Sequence, residues 1–471
     1  MSKSSDVFSV SIGVANTEGG SPNSKMLPDP DNDPAGAVSF AGFATTSGAI
    51  DSFSFEENSH SQEGSRSTPG AQALAPVAVR NTTGASLYGV PNGSYLRVGY
   101  PDGIELSSRF RGCNGANPGL EGWGKILGSS MGLFEPQGAA ANIACSVAGA
   151  ADGSTFIVDS NDYAGVGWHV GCPVRVRASG AVVDEYAIIT HVSDDGTDAT
   201  CKVYPSFTFQ QGAGAEINAC YAFFPVIGKD NAKFKDHHLR FSMGAVGSSA
   251  SVQTLAVGNR CSGFEIADDS GIAILTTTSK PLAVVSEDDK AGKAGVVSAP
   301  ESAGSPMQHR YGARVDMGVN HKALSAPVSG ARAYLPNFNH SVSVSFNTGE
   351  GTPETRSILR GTTHELHNAT CTVTIETEKN STFQNMLVND ERRSIFLGYG
   401  PAGSGHGSCF AILNAGRDDG SSSPTAGDQS RIQQSTTLRA LEDQNLCDET
   451  GLTEAQKRIS SAPFMLILPK A

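Results

Sequence analysis

One pattern of hydrophobic and polar positions occurs twice along this chain. In GIELSSRFRG, from Gly103 to Gly112, Ile104, Leu106 and Phe110 fall on one face and Glu105, Arg109 and Arg111 on the other. A period of two predicts a strand with one side buried. Asn117-Pro118 follows, an N-cap residue and a proline at the first helical position, and Leu120, Trp123, Leu127 and Met131 then recur at helical spacing. In the second copy, ATCTVTIETE from Ala369 to Glu378 sets Cys371, Val373 and Ile375 against threonines and glutamates. Asn380-Ser381 then opens a helix carrying Phe383, Met386 and Leu387, and Ser394–Gly400 returns as a strand. The pattern predicts a mainly β protein with a few short helices, built from two tandem sandwich or barrel units.

Between the copies the period-two signal continues. Residues 140–225 read as an inserted small β module with strands at Ser154–Val158, Val174–Val176, Tyr186–Val192, Cys201–Tyr204, Phe207–Phe209 and Ile217–Phe224, and an Asp194-Asp195-Gly196 turn. A module of this length can close on itself as a small barrel. His238–Met243 alternates with Leu239, Phe241 and Met243 on one face, and Cys261–Ile266 and Gly271–Thr278 form a hairpin around Asp268-Asp269-Ser270-Gly271. Further strands are expected at Asn339–Asn347, Cys409–Asn414 and Pro463–Leu468, with one amphipathic helix in 431–459. The expected division is an extended arm and loop over 1–85, a discontinuous first unit over 86–139 and 226–284, the insert over 140–225, a linker or assembly loop over 285–332, and a second unit over 333–471.

Composition narrows the function. The 54 glycines and 7% aromatic residues in 471 fit short strands and tight turns, and a net charge of −13 argues against wrapping nucleic acid, which needs clustered Lys and Arg. MSKSSDVFSVSIG lacks the basic and apolar regions of a secretory signal, and the apolar runs Tyr221–Ile227 and Ala462–Leu468 fall far short of the ~20 residues of a membrane span. Nine cysteines without a CxxC pair predict reduced thiols and neither a metal site nor a disulfide framework.

Several motif matches fail in context. Gly398-Tyr399-Gly400-Pro401-Ala402-Gly403 fits G-x-G-x-x-G, but another strand follows where a dinucleotide site needs a helix. Gly128-Ser129-Ser130-Met131-Gly132 fits G-x-S-x-G, yet its serine ends a helix that Gly132 would terminate. His364-Glu365-Leu366-His367 misses the i,i+4 ligand spacing, and His237-His238 opens a strand and is expected to be exposed. Asp29, Asp31 and Asp33 alternate as in a calcium loop, but Pro34 and Phe40 stand where linker geometry and a bidentate Glu are needed. Gly119, Gly122, Gly124 and Gly128 weaken the first helix and point to close backbone approach, either within the chain or across a subunit seam. No catalytic, cofactor-binding or metal-binding residue is expected, and no enzyme.

The stretch Ile104–Phe134, with ELSSRFRG and then NPGLEGWGKILGSSMGLF, resembles the tail tube proteins of long-tailed bacteriophages. His238–Lys280, with its Gly-Asn-Arg-Cys-Ser-Gly turn, extends the resemblance, and Asn339 to Asn414 looks like a second tube-type half. The insert looks like the small β modules that decorate some members. The resemblance implies a virion protein made in the host bacterial cytoplasm, whose sheets meet edge to edge in rings that stack into a tube. Its partners would be itself, as a trimer imitating six-fold symmetry or as a hexamer, together with tape measure, tail terminator and baseplate or distal tail proteins. DNA would pass transiently through an acidic lumen, with Glu105 and Glu376 as candidate lining residues, and no membrane would be involved. The arm before residue 80 and the 283–310 loop are the candidate stacking elements. The competing readings are another phage structural protein (connector, capsid or baseplate component) and a carbohydrate-binding β-sandwich module. The second predicts clustered exposed Trp and Tyr on a platform, yet the chain has only two tryptophans, Trp123 and Trp168, far apart in sequence.

Overall fold

The computed structural model describes residues 8–15, 51–53, 60–61, 74–77, 94–97, 104–110, 117–118, 122–138, 140–177, 184–228, 231–234, 236–243, 252–269, 271–280, 283–288, 314–318, 332–335, 339–349, 365–379, 381–389, 392–400, 407–418, 425–426, 432–442 and 451–470. Strands dominate throughout. The first are β1 (Phe8–Ala15), β2 (Asp51–Phe53), β3 (His60–Ser61), β4 (Leu74–Val77) and β5 (Ser94–Arg97). In β6 (Ile104–Arg109) the predicted alternation holds: Ile104, Leu106 and the following Phe110 are buried and Glu105 is exposed.

Helix α1 (Gly122–Gly128) is shorter than the spacing of apolar residues predicts. Pro118 lies in a separate 3-10 turn, and Met131 opens strand β7 (Met131–Phe134) rather than closing the helix. The break comes at Ser129-Ser130, whose amides donate to the carbonyls of Ile126 and Leu127, tightening the last turn. Gly132 is therefore a strand residue and terminates nothing. The close approach expected of the helix glycines is intramolecular at two of them. A Cβ on Gly124 would lie 1.7 Å from the Pro118 carbonyl oxygen, and one on Gly128 would lie 2.8 Å from the Phe234 ring.

Between β7 and residue 225 lie β8 (Asn142–Val147), β9 (Thr155–Asp159), α2 (Ser160–Val166), β10 (Pro173–Arg177), β11 (Asp184–Asp194), β12 (Asp198–Tyr204) and β13 (Glu216–Pro225). Their antiparallel pairings run β8–β9–β12–β11–β10–β13 and back to β8, a closed circuit. Inside it Phe156 meets Trp168 edge to face at 5.7 Å, over a core that includes Val174, Ile189, Val203 and Ile217. Side chains fill a barrel of six strands completely. Phe207–Phe209 is not a strand: Phe207 is buried in this core, while Phe209 is exposed. Glu185 holds that segment as a loop by accepting hydrogen bonds from the Thr208 amide and hydroxyl.

Strand β13 leaves the barrel halfway along. Glu216–Asn218 pair with β8, whereas Ala222–Pro225 pair with β7. The chain continues through β14 (Asp236–Met243), β15 (Val252–Asp269), β16 (Ile272–Lys280), β17 (Ala283–Asp288), β18 (Arg314–Gly318), β19 (Arg332–Leu335), β20 (Asn339–Gly349) and β21 (Glu365–Glu378). Then come α3 (Ser381–Val388), β22 (Arg393–Tyr399), β23 (Ser408–Arg417), β24 (Thr425–Ala426), β25 (Ile432–Ala440), α4 (Glu454–Ser460) and β26 (Phe464–Pro469). Two expectations are corrected here. The 285–332 stretch is not a plain linker, because β18 pairs with β22. The helix expected within 431–459 is confined to α4 (Glu454–Ser460), and residues 432–440 form a strand, because β25 pairs along β21 from Gln433 to Arg439.

Two layers result. The first sheet runs β6–β16–β15–β20–β21–β25, and the second β7–β13–β26–β23–β22–β18–β19, all antiparallel. They share one core. Phe264 of the first sheet meets Phe410 of the second at 6.3 Å, and His340 meets Tyr399 at 5.3 Å. The edges join where Ala415–Arg417 pair with Leu438–Ala440.

Candidate assembly face

The first sheet is buried on one side only. An inward row crosses all six strands as Ser108, Leu275, Ile266, Val342, Val373 and Leu438, every one buried. One residue along each strand, the row reads Ser107, Thr276, Glu265, Ser343, Thr372 and Arg439, every one exposed or half-buried. Period-two geometry makes this contrast, since a shift of one residue moves the whole set to the other face. Cross-strand hydroxyl pairs recur on the outer side: Ser107 with Thr276 at 2.8 Å, Ser345 with Thr370 at 2.9 Å and Thr374 with Thr437 at 3.4 Å. Glu105, Glu265, Glu376 and Glu378 bring carboxylates to this face, and Arg109, Lys280 and Arg439 bring cations. Glu105 and Glu376, singled out from the sequence, thus lie on one face of one sheet, near its opposite edges.

Those edges are thinly covered. Among the described residues, the outer edge of β6 pairs with two residues of β3, and that of β25 pairs with two residues of β24 and three of β23. Unpaired strand edges offer rows of backbone donors and acceptors to another chain.

Behind the sheet, the G-x-S-x-G serines sit in a buried polar clasp. Ser129 Oγ donates to the Ile126 carbonyl at 2.7 Å and accepts the Cys261 amide at 3.0 Å, leaving one lone pair for His237 Nδ1 at 3.0 Å. With the Ser129 hydroxyl hydrogen on the Ile126 carbonyl, the neutral ring that fits is the one with its proton on Nδ1, and Nε2 lies 3.1 Å from the Ser279 hydroxyl. The Arg260 guanidinium donates to the Ser129 carbonyl at 2.9 Å, and Ser130 Oγ to the Cys261 carbonyl at 2.6 Å. His237 is fully buried, contrary to the exposure expected of it, because it shares the inward phase of Leu239. Ser129 and His237 are both fully buried. Their role is to tie the α1–β7 turn to β14, β15 and β16. Ser129→Ala should cost about 2 kcal/mol by stranding the Cys261 amide and the His237 N–H, measurable as a lower urea midpoint; an unchanged midpoint would contradict the clasp.

The other motif residues are dispersed. Tyr399 and Ser408 pair across the β22–β23 hairpin, so a strand follows Gly398–Gly400, while 401–406 lie outside the described residues. So do Asp29, Asp31, Asp33, His364 and the side chain of His367. Among the described residues no group of His, Cys, Asp and Glu could hold a metal ion, and no helix is long and apolar enough to cross a membrane. Seven cysteines are described, all buried free thiols. Burial pushes the Cys261 thiol from an ordinary 9.0 up to about 12, and raises those of Cys220 and Cys371. The fold favours the neutral thiol, so this stability is complete below pH 9.0 and is lost as pH rises toward the folded value. At about pH 10 the Cys261 contribution has fallen by on the order of 1 kcal/mol. Urea midpoints should therefore drop on going from neutral to alkaline pH, and Cys261→Ala should flatten that drop.

No model of a known protein family matches the chain, and no curated protein matches it in sequence.

Proposed function

We propose that the chain is a structural subunit that closes into hollow rings through the lateral edges of its first sheet, and that stacked rings form the tail tube of a long-tailed bacteriophage, the conduit for DNA ejection. The observation that carries this reading is the continuous hydroxyl-lined face, six strands wide, bounded by two edges that are thinly paired among the described residues. Three copies would contribute about eighteen strands, a size at which a closed barrel leaves an aqueous channel.

The two-halves reading is supported by an order of elements that recurs. Strand β6 is followed by α1, by β7 and β13 paired in the second sheet, and by β16 returning beside β6. Strand β21 is followed by α3, by β22 and β23 paired in the second sheet, and by β25 returning beside β21. Three such chains imitate a ring of six units; a hexamer is the other arrangement. Proteins at the ends and inside of the tube (terminator, baseplate and tape measure) would be its heterologous partners.

DNA would slide past this face because hydroxyls hold water and carboxylates outnumber the scattered cations. Adsorption needs clustered Lys and Arg that release counterions from phosphate. In the competing carbohydrate-binding reading Trp123 and Trp168 would form an exposed platform, but they are 6% and 3% exposed. Assembled rings of a Glu105→Lys, Glu265→Lys, Glu376→Lys variant should retain duplex DNA in a gel-shift assay, with retention falling steeply as salt rises, while wild-type rings do not. Equal retention by both would refute the sliding surface.

A further inference from the structure

Three polar side chains from distant parts of the chain meet beside the α1–β7 turn. Asn117 lies just before the 3-10 turn that leads toward α1, Glu135 follows the last residue of β7, and Lys233 lies shortly before β14. The Glu135 carboxylate stands between the other two. Its Oε2 accepts from the Lys233 ammonium at 2.7 Å, and its Oε1 accepts from the Asn117 side-chain amide. A primary amine and a carboxamide nitrogen thus share one carboxylate.

The backbone holds all three groups in place. The amides of Lys233 and Phe234 donate to the carbonyls of Met131 and Gly128, both at 2.9 Å, which docks the Lys233 segment on the α1–β7 turn. Just beyond Glu135, the Gln137 amide donates to the Val166 carbonyl at 2.8 Å, and the 117–118 turn sets its Pro118 carbonyl against Gly124 of α1. The Phe234 ring centre lies 6.0 Å from the Lys233 ammonium, and the Lys233 and Glu135 side chains are 30% and 35% exposed. The site is covered enough to hold the groups together and open enough for a small product to leave. An ion pair this exposed contributes little to stability, and it does not need Asn117.

We propose that these residues form an intramolecular isopeptide bond between Lys233 and Asn117, with Glu135 as the catalytic base and acid. Glu135 Oε2 takes a proton from the ammonium, and the freed Nζ attacks Asn117 Cγ. The Nζ–Cγ bond forms and the Cγ–Nδ2 bond breaks, with Glu135 returning its proton to the departing nitrogen. The two protons that the lysine nitrogen loses leave with that nitrogen as ammonium; the carboxylate is regenerated and nothing is oxidised. Both proton transfers fall on the one group that already touches both nitrogens, and holding the reactants together replaces an encounter in solution. The bond would tie together the two segments of the chain that flank the inserted barrel. This proposal is independent of the tube reading.

Mass spectrometry of the denatured chain tests it. The expected mass lies below the sequence mass by one ammonia, about 17 Da. A succinimide at Asn114-Gly115 would lose the same mass, so tryptic mapping locates the loss. The expected product is one branched peptide joining residues 112–125 to 230–235, uncleaved at Lys233. Glu135→Gln, Lys233→Arg and Asn117→Ala chains, each shown to be folded by circular dichroism, should lack that peptide. A wild-type chain of full mass, an ammonia loss without the branched peptide, or a folded Glu135→Gln chain that yields it at the wild-type level would each overturn the proposal.

Discussion

Gly124→Ala is expected to lower the stability of the chain by about 3 kcal/mol or more, among the largest losses from adding a single methyl group. A Cβ at this position would sit 1.7 Å from the Pro118 carbonyl oxygen and 2.8 Å from its carbonyl carbon. That neighbour is backbone and cannot swing aside. Relief requires α1 to lift from the 117–118 turn, and α1 carries Trp123, Ile126 and Leu127 into the core, where Trp123 packs on Phe110 at 5.4 Å and on Phe223 at 5.9 Å. The matched control is Gly165→Ala in α2, where a Cβ meets nothing within 4 Å. There the same change should be neutral or add up to about 1 kcal/mol, because alanine favours helix. Urea unfolding of the two variants side by side checks both signs. A Gly124→Ala chain as stable as wild type would mean that α1 does not lie against this turn.

Phe410→Ala is expected to cost about 3–5 kcal/mol. Phe410 is fully buried, stacks on Phe464 of β26 at 5.8 Å, and meets Phe264 of the first sheet edge to face at 6.3 Å. Its ring therefore couples the two layers to each other and to the strand that closes the second sheet. Phe264→Ala combined with Phe410→Ala should cost less than the sum of the single changes, because the two rings share one contact. Strict additivity in a double-mutant cycle would contradict the packing of one sheet on the other.

Much of this fold was legible wherever one side of a strand faces the core and the other does not. In β6 and β21 the apolar residues fall on alternate positions without interruption, so strand and buried face could both be read directly. The reading failed where polar residues occupy inward positions. Strand β25 buries Gln434 and Thr436 beside Leu438, so its alternation is invisible in hydrophobicity and its residues passed for a helix. His237 was missed for the same reason, although the phase of Leu239 assigns it inward two residues earlier. Met131 misled in the opposite direction: four-residue steps from Trp123 and Leu127 mimic a helix that Ser129-Ser130 has already ended. β18, with β19 beside it, is held in the sheet by pairing with β22, more than seventy residues further along, a partnership that no local pattern announces. The hydroxyl-lined face was partly visible, since serines and threonines alternate through β20 and β21. Which strands would lie side by side to make it continuous was not.

The most direct test of ring formation is negative-stain electron microscopy of the purified chain, with mass photometry on the same sample. Edge-to-edge closure of the first sheet predicts hollow rings or stacked tubes with a central channel, and three subunits per ring if two halves of one chain imitate two units. Particles that remain single chains at every concentration, with no channel in any class, would contradict it.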